Sequence, residues 1–224
     1  MYRFKNLTLV GTSHISAKSI QKVREVIEKN RPGVVAIELD LIRLHSLFLK
    51  KRSLNLKDIV KIGIRAYIMG VIGAWVERKL GDIVHVRPGD EMRQAVRSAK
   101  EVNAKIALID RDIRTTLKRI SKQLTWTERL RFIKEIFTSL LRRQKIPFDI
   151  KSVPSKKVIL ELIEKVKQDY PSIYKVIIDE RDRILARNLY KLIQSEQTVV
   201  AVIGAGHEDG VIRLLKQYHK FQHP

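Results

Sequence analysis

The sequence contains no cysteine, and this absence excludes several kinds of chemistry. Disulfide bridges, thiolate nucleophiles and cysteine-ligated zinc or iron–sulfur sites are all ruled out. A metal ion, if one is bound, has to be held by histidine and carboxylate side chains. The chain offers 6 histidines and 24 acidic residues as ligands of this kind.

Long hydrophobic runs are also missing. Only Leu7–Val10 is apolar before Gly11, which is too short for the hydrophobic region of a signal peptide. The most apolar later stretch, residues 59–76, is interrupted by Lys61 and Arg65. A membrane span needs about 20 apolar residues, so this stretch predicts a buried or amphipathic helix. We expect a cytoplasmic protein without a signal peptide or transmembrane helix, whose contact with a membrane would be peripheral.

Acidic residues are scarce relative to basic ones. The 224 residues include 45 Lys and Arg against 24 Asp and Glu, a formal net charge of +21. This balance excludes an acidic solvating protein and indicates a polyanionic partner, either nucleic acid or an anionic membrane surface. Disorder is excluded as well, because 44% of the residues are hydrophobic and they recur along the whole chain.

Much of the positive charge is concentrated in residues 111–157, which hold 14 basic and 4 acidic residues and so contribute +10. The pattern predicts a basic helical insertion at about 113–157. Trp126, Phe132 and Phe137 are interleaved with charged residues there, which favours a helix that binds nucleic acid or an anionic membrane. The same spacing is typical of aromatic residues in a helical core, and the sequence leaves both interpretations open.

The rest of the pattern predicts an α/β fold, with a mainly parallel sheet and flanking helices, in a single domain over residues 1–224. Short apolar runs that end in glycine or acidic residues alternate with longer helical patterns, as in sheets with crossover helices. The run at residues 34–37 is apolar throughout, which indicates a strand buried on both faces. Four strands are predicted, at residues 7–10, 34–37, 105–109 and 198–203.

Chemically reactive side chains follow all four strands. In open α/β sheets, ligands bind at the carboxyl ends of parallel strands, where this sequence places two Gly-x-x-His motifs and several carboxylates. Such a set can hold a divalent metal ion without a thiolate. His207 is also expected just before a helix, whose N-terminus would favour an anionic substrate. The four groups are Gly11–His14, Glu38–Asp40, Asp110–Asp112 and Gly204–His207.

Several of these side chains also have a structural interpretation. Asp40 directly precedes a helical pattern and is expected to cap that helix. Glu38 lies between two apolar residues and is the better candidate for a metal ligand or general base. Asp110 and Asp112 are expected either to cap the next helix or to belong to the site. Arg43 is expected to pair with Asp40 or to clamp an anion.

A further charged group, Asp179–Asp182, lies within a predicted helix over residues 172–195. Glu180 and Arg181 in this group fit either a solvated charge run or a contribution to the site. Periodicity alone does not decide between the two, because the group has charged residues at consecutive positions.

Six blocks, in order along nearly the whole chain, are characteristic of one known family. The blocks are Leu9–His14, Val35–Asp40 with Arg43, Pro88–Met92, Leu108–Ile113 with Thr116 and Leu117, Asp179–Asp182, and Val202–His207. Together they resemble the TraB/PrgY (pheromone-shutdown) family, which is related to GumN-like proteins and the Tiki metalloproteases.

The resemblance implies an α/β fold similar to that of the erythromycin-esterase and ChaN-like proteins, with an active site formed by the two Gly-x-x-His motifs and a glutamate. Tiki members resemble manganese- or cobalt-dependent peptidases, and PrgY-like members act on or sequester peptide pheromones. The implied cofactor is therefore a divalent ion, manganese or cobalt rather than zinc. The implied roles are His14 and His207 as metal ligands, Glu38 as ligand or base, Glu91 as a second carboxylate, and Arg43, Arg111 and Arg181 as supporting site residues.

Three functions follow as hypotheses. The first is a metal-dependent hydrolase, a peptidase that acts on peptides at the His/carboxylate site. The alternative is a protein that binds or sequesters a peptide or anionic ligand in the same cleft without turnover. The third is a nucleic-acid or anionic-membrane binder that uses the basic helices within residues 111–157. The oligomeric state is left open.

Overall fold

The structure, a computed structural model, describes residues 1–12, 17–48, 89–131, 134, 156–195 and 197–222. It contains a five-stranded sheet with helices on both faces, which confirms the predicted α/β class. The strands are β1 (Tyr2–Phe4), β2 (Leu7–Thr12), β3 (Val34–Ile37), β4 (Lys105–Leu108) and β5 (Val199–Gly204). The helices are α1 (Ala17–Asn30), α2 (Leu41–Phe48), α3 (Asp90–Glu101), α4 (Ile113–Gln123), α5 (126–131), α6 (Lys156–Asp169), α7 (Pro171–Tyr174), a π-helix (Lys175–Asp179), α8 (Glu180–Ile193) and α9 (Ala205–Gln222).

The sheet has the strand order β1-β2-β5-β3-β4. The four strands predicted from the sequence are all present and pair in parallel, while β1 pairs antiparallel with β2 at one edge. β1 was not predicted because it has only three residues, of which the middle one is exposed. Three residues are too few to show the alternation of apolar and polar side chains that predicts a strand.

Both faces of β2, β3 and β5 are buried, as their apolar patterns predicted, whereas the edge strand β4 has one exposed and three partly buried residues. Alternate side chains of β5 point to opposite faces, as in any strand. Ile203 packs against Leu189 of α8 and Leu215 of α9, whereas Val202 packs on the other face, in the cluster with Ile27 of α1. Full burial of one such side chain stabilises the fold by roughly 1.5–3 kcal/mol. The helices on both faces therefore hold the strand ends in fixed positions.

Two helical predictions differ from the structure. The predicted helix over 172–195 is divided, because the π-helix separates α7 from α8. The last helix begins at Ala205, directly after β5, rather than after His207 as predicted. His207 consequently lies in the first turn of α9 and not in a loop before it. The glycines at 206 and 210 weaken the helical signal, and packing of α9 on the sheet outweighs them.

Other predictions fall partly outside the described residues. The apolar stretch 59–76 lies there entirely, and so does most of the predicted insertion at about 113–157, of which α4 and α5 are described. Among the described helices, none combines the length and the apolar character that crossing a bilayer requires.

Candidate functional site

The carboxyl ends of β3, β4 and β5 meet at one edge of the sheet, because these strands are neighbours and run parallel. Glu38 follows β3, Asp110 follows β4 by two residues, and His207 follows β5. The three side chains are brought together there through Arg181 of α8. A site was predicted at this edge, and these four residues lie in contact there. His14, the other predicted histidine, lies outside the described residues.

Glu38 is 5% exposed and is fixed by the strand beside it. Its Oε2 accepts a hydrogen bond from the backbone N–H of Gly204, at 2.6 Å. Its Oε1 accepts a hydrogen bond from Arg181 and lies 3.5 Å from Nε2 of His207. A buried carboxylate costs free energy unless it is paired and hydrogen-bonded. Both oxygens of Glu38 satisfy this condition, so the carboxylate is held rigidly beside His207.

Arg181 is the positive centre of the site. Its Nε donates to Oδ2 of Asp110 at 2.9 Å, and its Nη2 donates to the same oxygen at 2.5 Å and to Glu38. Burial by itself would lower the pKa of Arg181, but the two carboxylates raise it above its usual value. The side chain is only 12% exposed. The interpretation of Arg181 as part of a solvated charge run is therefore wrong.

His207 is held in one tautomer by its two neighbours. Nη1 of Arg181 lies 3.0 Å from Nε2 of His207. A guanidinium has no acceptor, so Arg181 donates and Nε2 carries the lone pair. The proton is then on Nδ1, which lies 2.6 Å from Oδ1 of Asp182 and donates to it. An imidazole arranged in this way can ligate a metal ion or accept a proton through Nε2.

Asp182 was missed as a functional candidate by the sequence analysis. It lies in the first turn of α8, is 4% exposed, and its carboxylate orients His207. Burial raises the pKa of Asp182, and the hydrogen bond with His207 opposes this effect. Its partner is distant in the sequence, so local spacing carried no signal of the contact.

Gly210 of α9 was missed for a similar reason. A Cβ at this position would lie 1.9 Å from Oδ2 of Asp182. A side chain on Gly210 would therefore displace the carboxylate that orients His207. In the sequence this glycine lies only at the start of a helical pattern, and no neighbouring residue indicates a contact with Asp182.

Asp110 and Arg43 extend the ion-pair network. Asp110 has a fully buried side chain, whose Oδ2 accepts a hydrogen bond from Nη2 of Arg43 at 2.7 Å as well as those from Arg181. Burial by itself would raise the pKa of Asp110, but Arg181 and Arg43 lower it. Asp110 thus belongs to the ion-pair network of Arg181 and Arg43 and does not cap α4. Arg43 also pairs with Asp40 at 2.6 Å, as predicted for its structural role.

Asp40 and Asp112 both cap helices. Oδ1 of Asp40 accepts hydrogen bonds from the backbone N–H groups of Ile42 and Arg43, at 2.8 and 3.0 Å, and so caps α2 as predicted. Asp112 accepts from the N–H of Arg114 at 2.7 Å and caps α4. The alternative that placed Asp112 in the site is therefore not supported by its contacts.

Arg111 connects elements near the site. Its guanidinium donates to Glu180 at 2.7 Å, to the carbonyl of Val176 at 2.8 Å and to Oγ1 of Thr116 at 2.9 Å. These contacts fasten α4 to the π-helix and to the start of α8. Arg111 thereby supports the turn that presents Arg181 and Asp182, and its contacts do not place it on Glu38 or His207.

Glu91 is buried in the first turn of α3, with 1% of its surface exposed. α3 leads into β4, and a helix that leads into a parallel strand begins near the carboxyl edge of the sheet. Glu91 is therefore at the same edge as Glu38 and His207. Its role as a second carboxylate of the site stays a prediction.

The described residues fit a divalent ion only in part. Two ligands of a tetrahedral ion, each at about 2.1 Å, are about 3.4 Å apart, and the 3.5 Å between Oε1 of Glu38 and Nε2 of His207 matches this spacing. Arg181, however, donates to both of these atoms. Within the described residues, no group of three His, Asp or Glu side chains could hold an ion. A third ligand would have to come from the undescribed residues, to which His14 belongs.

Comparisons with known proteins agree with the sequence motifs. A sequence model of the TraB/PrgY/gumN family matches residues 3–220. An uncharacterized protein of Methanocaldococcus jannaschii is 33% identical over 95% of this chain and 54% of its own length. TraB domain-containing proteins of Bos taurus and Homo sapiens are 26% and 25% identical over 91% of the chain, and over 60% and 61% of their own lengths. The chain thus spans between half and two thirds of these relatives, and it belongs to the TraB/PrgY/gumN family.

Proposed function

We propose that the strand-end site is the centre of a metal-dependent hydrolase that acts on peptides. The observation that carries the proposal is the pairing of Nε2 of His207 with Oε1 of Glu38 at 3.5 Å. Each of these atoms belongs to a buried side chain that another group orients: Asp182 for His207, and the N–H of Gly204 for Glu38. Orientation by a second carboxylate is a common feature of histidines that ligate metals or transfer protons.

His207, Glu38 and His14 would hold the ion, with manganese or cobalt as the expected metals. A divalent ion at this position would polarise a substrate carbonyl and lower the pKa of a water molecule. Glu91, at the same edge, is the candidate proton acceptor, because Glu38 would be occupied as a ligand. The assignment of His207 is supported by its tautomer and that of Glu91 by the topology of α3. The inclusion of His14 and the choice of metal are supported by the family resemblance.

Arg181 would change partners when the site is occupied. Its guanidinium donates to Nε2 of His207 and to Glu38, and an ion bound by these two side chains would compete with it. The Nε and Nη2 contacts with Asp110 hold the arginine at the site in that case. The released N–H group would then face the substrate, where it can stabilise negative charge that develops on a carbonyl oxygen.

The test combines metal analysis with a peptidase screen of the purified protein. We expect wild type to bind a divalent ion, and we expect His207→Ala to lose both the ion and peptide cleavage. Glu38→Gln should weaken ion binding and abolish cleavage while the protein stays folded. His45→Ala is the matched control, because His45 is an exposed histidine on α2, and it should behave as wild type. Wild type that neither binds nor is activated by any divalent ion would contradict the proposal.

A second candidate function is capture of a peptide without turnover. It is favoured by the contacts of Arg181, which engage both candidate ligand atoms in the described arrangement. Binding of peptides to wild type, without cleavage across a panel of divalent metals, would select this function over hydrolysis. Loss of that binding in His207→Ala, but not in His45→Ala, would place it at the same site.

A further inference from the structure

An exposed apolar pair lies on α5, away from the strand-end site. Trp126 is 74% exposed and Leu130 is 63% exposed. The two residues are four positions apart, so they lie on the same face of the helix, about 40° apart around its axis. A large aromatic and a large aliphatic side chain that are exposed side by side mark a surface that contacts something else.

The contacts of Glu128 hold the opposite face of α5 against the rest of the protein, so that Trp126 and Leu130 face solvent. Thr125 and Glu128 form a capping box: the N–H of Thr125 donates to Oε2 of Glu128 at 2.8 Å, and the N–H of Glu128 faces Oγ1 of Thr125 at 3.3 Å. Oε1 of Glu128 also accepts from the N–H of Ser172 in α7, at 2.8 Å. Glu128 is 4% exposed and lies about 200° from Trp126 around the helix. The helix is therefore anchored by the side opposite to Trp126 and Leu130.

One basic residue contacts Trp126 and joins it to the end of α4, where two further basic residues are exposed. The guanidinium of Arg129 is 5.1 Å from the centre of the Trp126 ring, and its Nη2 donates to the carbonyl of Ser121 at the end of α4. Arg129 thereby joins Trp126 to the last turn of α4, which contains Lys122. Lys118 lies one turn earlier, on the same face of α4 as Lys122. Both lysines are exposed. We name Trp126, Leu130, Lys118 and Lys122 the basic-apolar surface.

We propose that the basic-apolar surface binds the headgroup region of an anionic lipid bilayer. Lysines attract an anionic surface, tryptophan is favoured at the boundary between headgroups and acyl chains, and leucine enters the acyl region. Nucleic acid would use the lysines and the tryptophan, but it offers an exposed leucine no apolar region to enter. The surrounding charge fits the proposal, since residues 111–157 carry +10. This inference does not depend on the proposed function of the strand-end site.

The test is sedimentation of the full chain with vesicles of phosphatidylcholine, with or without phosphatidylserine. We expect binding to the vesicles that contain phosphatidylserine, weakened by added salt. Lys118→Ala and Lys122→Ala should each weaken the binding about fivefold. Their matched controls are Lys18→Ala and Lys22→Ala, because these exposed lysines have the same spacing on α1.

The apolar pair is tested with Trp126→Ala and Trp126→Phe. We expect Trp126→Ala to weaken binding to the anionic vesicles about tenfold or more, because a large side chain no longer leaves water. The control is Phe221→Ala, since Phe221 is an aromatic residue of α9 that is 83% exposed, and it should bind as wild type. Trp126→Phe keeps an aromatic ring and should lose only the blue shift of Trp126 emission on vesicle addition, while binding persists.

Three results would overturn the proposal. One is equal binding to vesicles with and without phosphatidylserine, and another is equal loss of binding in the surface variants and in their controls. The third is tighter binding to a single-stranded oligonucleotide than to anionic vesicles, with the same variants weakening it, which would assign the surface to nucleic acid. Far-ultraviolet circular dichroism of each variant separates loss of binding from loss of folding.

Discussion

At the scale of single residues, the orientation of His207 is the feature on which the chemistry of the site depends. Asp182 accepts the Nδ1 proton, and Arg181 donates to Nε2. The imidazole therefore presents its lone pair beside Glu38. Together, these two contacts determine which nitrogen of the His207 imidazole carries the lone pair.

Asp182→Asn is expected to disturb this orientation without removing a large side chain. An amide can either accept from Nδ1 or donate to it, so His207 would populate both tautomers. We expect the affinity for the activating ion, or the rate of peptide cleavage, to fall 10–100-fold. Nitrogen-15 chemical shifts of His207 report the tautomer directly.

Asp169→Asn is the control for this substitution, because Asp169 lies at the end of α6 and pairs with Arg131. It should leave the nitrogen-15 shifts of His207 and the ion affinity unchanged. If Asp182→Asn also kept the wild-type shifts and affinity, Asp182 would have no orienting role.

Gly210→Ala tests the space that Asp182 needs. A Cβ at Gly210 would lie 1.9 Å from Oδ2 of Asp182, so we expect the substitution to lower the free energy of unfolding by about 1–3 kcal/mol. Gly206→Ala on the same helix is the matched control, since the nearest atom to its Cβ would be the terminal Cδ1 of Ile163, at 2.8 Å. That methyl group can move, and alanine is favoured in helices. Urea denaturation measures both changes, and equal stability of the two variants would contradict the expectation.

At the scale of elements, the π-helix and the start of α8 present Arg181 and Asp182 to the site. A salt-bridge cluster fixes this segment against α4. Glu180 accepts hydrogen bonds from Arg119 at 2.6 Å and from Arg111 at 2.7 Å. π-helices within helical segments are frequent at functional sites, and this one directly precedes the residues that organise His207.

The cluster predicts a dependence of stability on pH. The hydrogen bond from Arg119, followed by that from Arg111, lowers the pKa of Glu180 to about 2 from its usual 4.5, although burial opposes this. The pKa of Glu180 is lower in the folded state than in the unfolded state. The stabilisation from its ion pairs is therefore fully present above about pH 4.5 and is lost as the pH falls through about 2. Urea denaturation between these pH values should show wild type losing stability faster than Glu180→Gln. Glu164→Gln, at an exposed position of α6, should follow wild type; identical curves for Glu180→Gln and wild type would contradict the prediction.

At the scale of the whole molecule, charge is distributed unevenly. The chain carries +21, and residues 111–157 account for +10 of it. The strand-end site is rich in buried carboxylates instead: Glu38 and Asp110 accept hydrogen bonds from Arg181, and Asp182 accepts one from His207. The net positive charge therefore reflects surfaces such as the basic-apolar surface. It does not describe the strand-end site, which is rich in carboxylates.

The fold was largely predictable from the sequence, because buried parallel strands leave continuous apolar runs. The edge of the sheet that holds Glu38, Asp110 and His207 followed from the same pattern, since ligands bind where parallel strands end. The helix caps at Asp40 and Asp112 were also predictable, because capping depends on neighbours in the sequence. β1 and the early start of α9 were not predicted, since a three-residue strand and a helix with two glycines give weak local signals.

The sequence by itself determined the α/β class, the family and the strands whose ends form the site, because these depend on periodicity and short motifs. Only the tertiary structure decided that Arg181 is buried between Glu38 and Asp110, and that Asp182 orients His207 beside Gly210. These contacts join α8 to the ends of three strands and to α9. Residues so far apart in the chain come into contact only after the helices pack on the sheet. Local sequence patterns therefore do not predict which of these residues will be in contact.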